Sequence, residues 1–144
     1  NLDLRFSLAD RSGSSGDFQL QPFLRVIEGD PASLSGSVDA DLLDAEGCLD
    51  GDGDPDGATV YLFGEDTPPR DFDSAADTHP RASAKLSGSE DSGYAYEFAV
   101  ARTGEVVLAL TCDADDPATT AAIDFLHTED ADLNEGLNVV NLED

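Results

Sequence analysis

The residues best suited to chemistry lie in one short stretch, Cys48-Leu49-Asp50-Gly51-Asp52-Gly53-Asp54-Pro55-Asp56-Gly57. Asp50, Asp52, Asp54 and Asp56 alternate with small or rigid residues, directly before the apolar run Ala-Thr-Val-Tyr-Leu-Phe-Gly. Calcium takes about six to eight oxygen ligands, and carboxylates at alternate positions can fold around one ion. With Asp52 at the first position of an EF-hand-type loop, Asp54, Asp56 and Gly57 fall where two ligands and the turn glycine belong. The bidentate Glu that should close the loop is Phe63. Starting from Asp50 places Pro55 at the glycine and Tyr61 at the closing position, so a complete EF-hand is excluded. Two readings remain. One is a looser calcium site of Asp50, Asp52, Asp54 and Asp56 that recruits Asp44, Glu46 or a neighbouring loop. The simpler one is a solvated connector in a very acidic chain.

Other chemistry has weaker support. His79 sits beside Pro80 and His127 precedes Thr-Glu-Asp, with no second His at ligand spacing, so both read as exposed polar residues. There is no G-x-S-x-G elbow and no phosphate-binding glycine loop. With 32 acidic residues, a carboxylate pair somewhere is expected by chance and identifies nothing. Tyr94, Tyr96 and Phe98 are of a type that stacks on sugars, but their common face fits core packing better. We therefore assign no catalytic residue and no cofactor, with calcium as the alternative at the acidic loop. Cys48 and Cys112 make the even count that an oxidising compartment allows, and we read them as a disulfide rather than two buried thiols.

The bulk composition narrows the setting. The chain has 144 residues, enough for one domain with a real core, or for one domain plus an extension. Its formal charge is −25, and Lys85 is the sole lysine. Nucleic acid and anionic membranes are both negative, so binding to either is disfavoured. The acids are spread along the chain, which points to solvation in a salty medium rather than to one dedicated site. The longest purely apolar run, Val106 to Leu110, is far shorter than the roughly 20 residues of a spanning helix. The chain opens without Met and already in strand pattern, as expected for part of a longer precursor.

The elements that must position these residues read as strands. Leu2, Leu4, Phe6 and Leu8 alternate, and so do Phe18, Leu20, Leu24 and Val26 after a Ser/Gly loop. These runs form a hairpin, and Pro22 places its second strand at an edge or a bulge. Residues 33–43 read as the next strand, followed by strands over Ala-Thr-Val-Tyr-Leu-Phe-Gly, Arg-Ala-Ser-Ala-Lys-Leu-Ser-Gly and Tyr-Ala-Tyr-Glu-Phe-Ala-Val. Val-Val-Leu-Ala-Leu-Thr-Cys is the most apolar and should be central. Asp116 and Pro117 could cap and open a helix, but the alternation of Ala121, Ile123 and Phe125 favours a strand over 121–126, and Leu137 and Val139 mark the last one. Short strands with Gly-rich turns and no long helix indicate an all-β, Greek-key-type sandwich over residues 31–144, with an N-terminal hairpin extension over 1–30.

The order of motifs resembles the carboxypeptidase regulatory-like, or transthyretin-like, β-sandwich. Gly36, Val38, Gly57, Ala58, Val60, Gly93, Tyr94, Phe98 and Gly104 fall at its landmarks, although Val106 or Val107 stands where an aromatic is expected. The preceding hairpin, with Pro22, Leu24, Arg25 and Val26, resembles the end of a bacterial surface-lipoprotein domain of unknown function, a group with cysteines like Cys48 and Cys112. The resemblance implies an exported, extracellular or envelope-associated protein and no established catalytic residues. The expected function is a non-catalytic surface module with a structural, adhesive or assembly role. Its partners would be proteins or further copies joined through strand edges. The rivals are a calcium- or carbohydrate-binding module and the accessory domain of a larger secreted hydrolase.

Overall fold

The computed structural model describes residues 8–10, 18–20, 31–45, 47–55, 57–67, 69, 80–112 and 123–143. At the N-terminus, β1 (Leu8–Asp10) pairs antiparallel with β2 (Phe18–Leu20), in the register Leu8 to Leu20 and Asp10 to Phe18. This is the expected hairpin pairing. The remaining residues of those two runs, Pro22 included, lie outside the described residues.

The rest is all-β, built as two four-stranded sheets. One has the order β10 (Gly136–Val139), β3 (Ala32–Val38), β7 (Gly93–Ala101), β6 (Ser87–Ser89). The other has the order β5 (Ala82–Lys85), β4 (Thr59–Gly64), β8 (Gly104–Thr111), β9 (His127–Leu133). All neighbours are antiparallel except β10 with β3, which run parallel. The chain changes sheet between β3 and β4, β5 and β6, β7 and β8, and β9 and β10, so sequence neighbours face each other across the core. That core takes Leu34 and Val38 from β3, Tyr94, Tyr96 and Phe98 from β7, and Val60, Leu62, Leu108 and Leu110 from the facing sheet. The period-two alternation of β3 and β7 follows directly, since one face of each meets the opposite sheet.

β4 departs from alternation because both of its faces are buried. Tyr61 and Phe63 point away from the main core into a second, smaller one with Ala109, covered by Phe125. The Phe125 ring meets Tyr61 and Phe63 edge-on, at centroid distances of 6.4 and 6.0 Å.

Three expectations need correction. The strand read over 33–43 ends at Val38, and Ala40–Ala45 forms a short helix, α1. Asp39 caps it, accepting the Asp41 N–H on Oδ1 at 3.1 Å. Of the strand expected at 121–126, residues 121 and 122 lie outside the described residues, and 123–126 form the approach to a strand at His127–Leu133. Phe125 covers the smaller core and Leu126 packs on the main one, so the apolar character of this stretch reflects packing rather than pairing. The single strand read through Lys85 and Leu86 is two strands in different sheets, and Leu86 sits at the crossing, its N–H donating to the Ala58 carbonyl.

Candidate functional site

The acidic loop is pinned at both ends before any ligand is considered. Helix α1 stops at Gly47, whose φ of 69° is the left-handed conformation glycine tolerates. The Gly47 N–H donates to the Asp44 carbonyl and the Cys48 N–H to the Leu43 carbonyl, the two bonds of a Schellman cap. Cys48 is buried there and forms a disulfide with Cys112, just past the end of β8, with a Cα–Cα distance of 5.5 Å. The cysteine pairing read from the sequence is therefore present. Leu49 and Pro55 then pair as an isolated antiparallel bridge, which closes the loop at its base.

Inside the loop, Asp50 organises the backbone. Its Oδ1 accepts the N–H groups of Asp52 at 2.9 Å and Asp54 at 3.0 Å. Its own N–H donates to the Asp54 carbonyl, and its carbonyl accepts from Gly53. From outside, the Tyr94 hydroxyl donates to the Gly53 carbonyl at 2.8 Å. Burial and then the nearby Glu90, Asp54, Asp44 and Asp50 charges push the Tyr94 phenol above its ordinary value, which keeps it a hydrogen donor. The alternation of aspartates thus folds a turn in which one carboxylate replaces a backbone acceptor. Asp52 and Asp54 are exposed, and Asp56 lies outside the described residues. Among the described residues no three His, Cys, Asp or Glu side chains come together as a metal-holding group.

A second acidic grouping was not singled out by sequence. Glu65, Glu105, Asp130 and Asp132 line an open depression of about 380 Å³ at β8 and β9, together with Val106, Val107 and Ala131. The register that sets Gly64 opposite Val106 brings Glu65 beside Glu105. A hydrogen bond to the Glu105 carboxyl, and then the charge of that group, hold Glu65 above the usual carboxylate range. The signal for this pair is a strand register, which composition does not reveal.

The aromatic and histidine candidates resolve differently. Tyr94, Tyr96 and Phe98 are all buried in the main core, so they present no platform to a sugar. The Tyr96 hydroxyl donates to the Val140 carbonyl at 2.6 Å. His127 is half-buried at the start of β9 rather than exposed, and its Nε2 lies 3.7 Å from a Glu129 carboxylate oxygen. His79 falls outside the described residues.

The outer faces of the two sheets differ in charge. On the β10-β3-β7-β6 sheet, β3 presents Ser33, Ser35 and Ser37, and β6 presents Ser87 and Ser89. Ala95 and Ala99 of β7 lie beside them, and Glu97 is the one charge of this face among the described residues. At its margin, Leu137 and Val139 of β10 are 76% and 64% exposed, the exposed large hydrophobic residues among those described. The opposite sheet carries the Glu105, Asp130 and Asp132 carboxylates instead. No protein-family model, curated protein or solved structure matches this chain.

Proposed function

We propose that this chain is a non-catalytic β-sandwich module of an exported or cell-surface protein, with an adhesive, structural or assembly role. The observation that carries this reading is the partition of charge. A chain of net charge −25 keeps one sheet face almost uncharged, with serines, alanines and two exposed aliphatic side chains. Desolvating carboxylates is costly, whereas a flat neutral face can be covered by another macromolecule without that penalty. The Cys48–Cys112 disulfide supports the setting, since such bonds persist outside reducing compartments. The distributed acidity supports solvation of the remaining surface in salt.

Display of the chain on a bacterial host, followed by cell–cell and cell–surface attachment assays in saline medium, tests this reading. Attachment should exceed that of the bare host and fall when Ser35→Glu and Ala95→Glu charge the neutral face. Thr128→Glu, on the acidic sheet, should leave it unchanged. Attachment no greater than that of the bare host would overturn the adhesive role.

A further inference from the structure

Among the described residues, each four-stranded sheet has two edges, and three of these four carry protection of a recognised kind. Strand β9 holds Glu129, Asp130 and Asp132, β5 ends in Lys85, and β6 is only 3 residues long. Strand β10 has none of these. From Gly136 to Leu142 the chain carries no charged residue, and Glu135 and Glu143 stand at the two ends of that neutral run.

Among the described residues, the backbone of β10 is also unpaired on the side away from β3. Gly136, Val140 and Leu142 donate their N–H groups to the carbonyls of Pro31, Ser35 and Ser37, so the even-numbered residues face β3. By strand alternation, the N–H and C=O groups of Leu137 and Val139 face the free edge. The same two residues hold the exposed aliphatic side chains. An unpaired backbone row flanked by apolar side chains is the acceptor geometry for strand addition.

We propose that β10 accepts an extended segment of a protein partner, one with alternating apolar residues and a Lys or Arg at each end. The flanking charges select that partner. In an antiparallel pairing centred on Val139, a second copy of β10 would set Glu135 against Glu143 at both ends, and like charges directly opposite are destabilising. It would also bring together two bodies of charge −25. A basic-flanked strand of similar length meets both glutamates favourably, since a strand rises about 3.3 Å per residue. This inference names the partner class for the adhesive reading and rests on that reading for its setting. Peptide binding without surface attachment would reject the adhesive role alone, and attachment without peptide binding would reject only the edge.

The probe is a capped, fluorophore-labelled peptide, Lys-Thr-Val-Thr-Val-Thr-Val-Thr-Lys, followed by anisotropy at low salt. A Glu-flanked version tests the end charges, and a Lys-flanked Gly-Ser peptide reports non-specific attraction to the acidic surface. The Lys-flanked strand peptide should bind at least about tenfold more tightly than either control, with the advantage over the Glu-flanked peptide shrinking toward 1 M salt as the Debye length falls to about 3 Å. Val139→Pro removes an outward N–H without touching the ladder to β3, so it should abolish binding. Val139→Asp should do the same should the proline variant fail to fold. Equal binding of the three peptides, or binding indifferent to both substitutions, would overturn the proposal. So would a concentration-dependent dimer that Val139→Pro dissolves while the peptide stays unbound, because the occupant would then be a second copy.

Discussion

Replacing Gly36 with alanine isolates one close approach in the sandwich. Gly36 lies in β3, opposite Tyr96 of β7, and beneath the chain that leaves β10. A Cβ built there would overlap the Val140 carbonyl oxygen, and would stand 2.7 Å from the Val140 carbonyl carbon and 2.9 Å from Tyr96 Cε1. Its φ is not in the left-handed region, so the penalty is steric rather than conformational. Two effects oppose each other. Alanine lowers the entropy of the unfolded chain, which stabilises by about 0.4–1 kcal/mol. Overpacking of this kind destabilises by about 1–3 kcal/mol. The Val140 carbonyl must move away from the Tyr96 hydroxyl, which also loses a hydrogen bond worth about 1 kcal/mol. The clash wins, for a net destabilisation of about 2–3 kcal/mol. For a chain of this size that is roughly 6–12 °C in Tm. Thermal unfolding by circular dichroism reads the shift. Hydrogen exchange should show lost protection in the bonds of Val140 to Ser35 and Leu142 to Ser37, with β4 and β8 unchanged. In a Tyr96→Phe background the penalty should shrink by about 1 kcal/mol, because the hydrogen bond is already gone. A Gly36→Ala protein that melts at or above the wild-type temperature would refute the packing argument.

Removing the disulfide as Cys48→Ala with Cys112→Ala opens a closure of 64 residues and should lower stability by about 4 kcal/mol on the chain-entropy estimate, measured by urea unfolding. Glu65 titrates above its ordinary 4.5 in the folded state, so whatever stability its protonated form contributes is present below that pH and is lost as pH rises through the raised value. Glu65→Gln should therefore raise Tm at pH 7 and leave it nearly unchanged at pH 4. Sodium chloride should raise Tm between dilute buffer and about 1 M by screening repulsion among carboxylates, and a flat or falling response would remove the solvation reading. At that fixed high salt, calcium and magnesium should act alike. A calcium-specific rise abolished by Asp52→Asn with Asp54→Asn would favour the calcium-site reading of the acidic loop.

What could be read in the chain depended on which face of each element is buried. Strands β7 and β8 bury one face or lie inside a sheet, so Tyr94, Tyr96 and Phe98, or Val106, Leu108 and Leu110, stand out by alternation. β9 hides because it lies at an edge with most of its side chains in water. Its His-Thr-Glu-Asp-Ala-Asp-Leu resembles a loop in composition, and only Ala131 and Leu133 reach the core. The opposite error arises at Phe125, an apolar residue in an alternating run that covers Tyr61 and Phe63 from outside the sheet. Helix α1 is too short for an apolar period to show, and its signal lies in Asp39 as cap and Gly47 as stop. The Glu65–Glu105 pair depends on a register between strands far apart in sequence, so no local motif carries it.

The acidic loop then has a physical account that does not start from a metal. An exposed connection between sheets needs its backbone groups satisfied without a strand partner. Aspartate does this locally, and Asp50 holds the N–H groups of both Asp52 and Asp54. The price is electrostatic, since each added carboxylate repels the others in a chain already at −25. Three contacts hold the loop against that repulsion: the disulfide at Cys48, the Leu49–Pro55 bridge, and the Tyr94 hydroxyl on Gly53. Only the first is covalent and indifferent to ionic strength. The disulfide and salt should therefore be partly interchangeable. In the double alanine variant, the rise in Tm from dilute buffer to about 1 M salt should exceed that of the wild type, because the unpinned loop relies on screening alone. Equal salt responses in the two proteins, measured on the same thermal scans, would mean that repulsion within this loop does not oppose its closure.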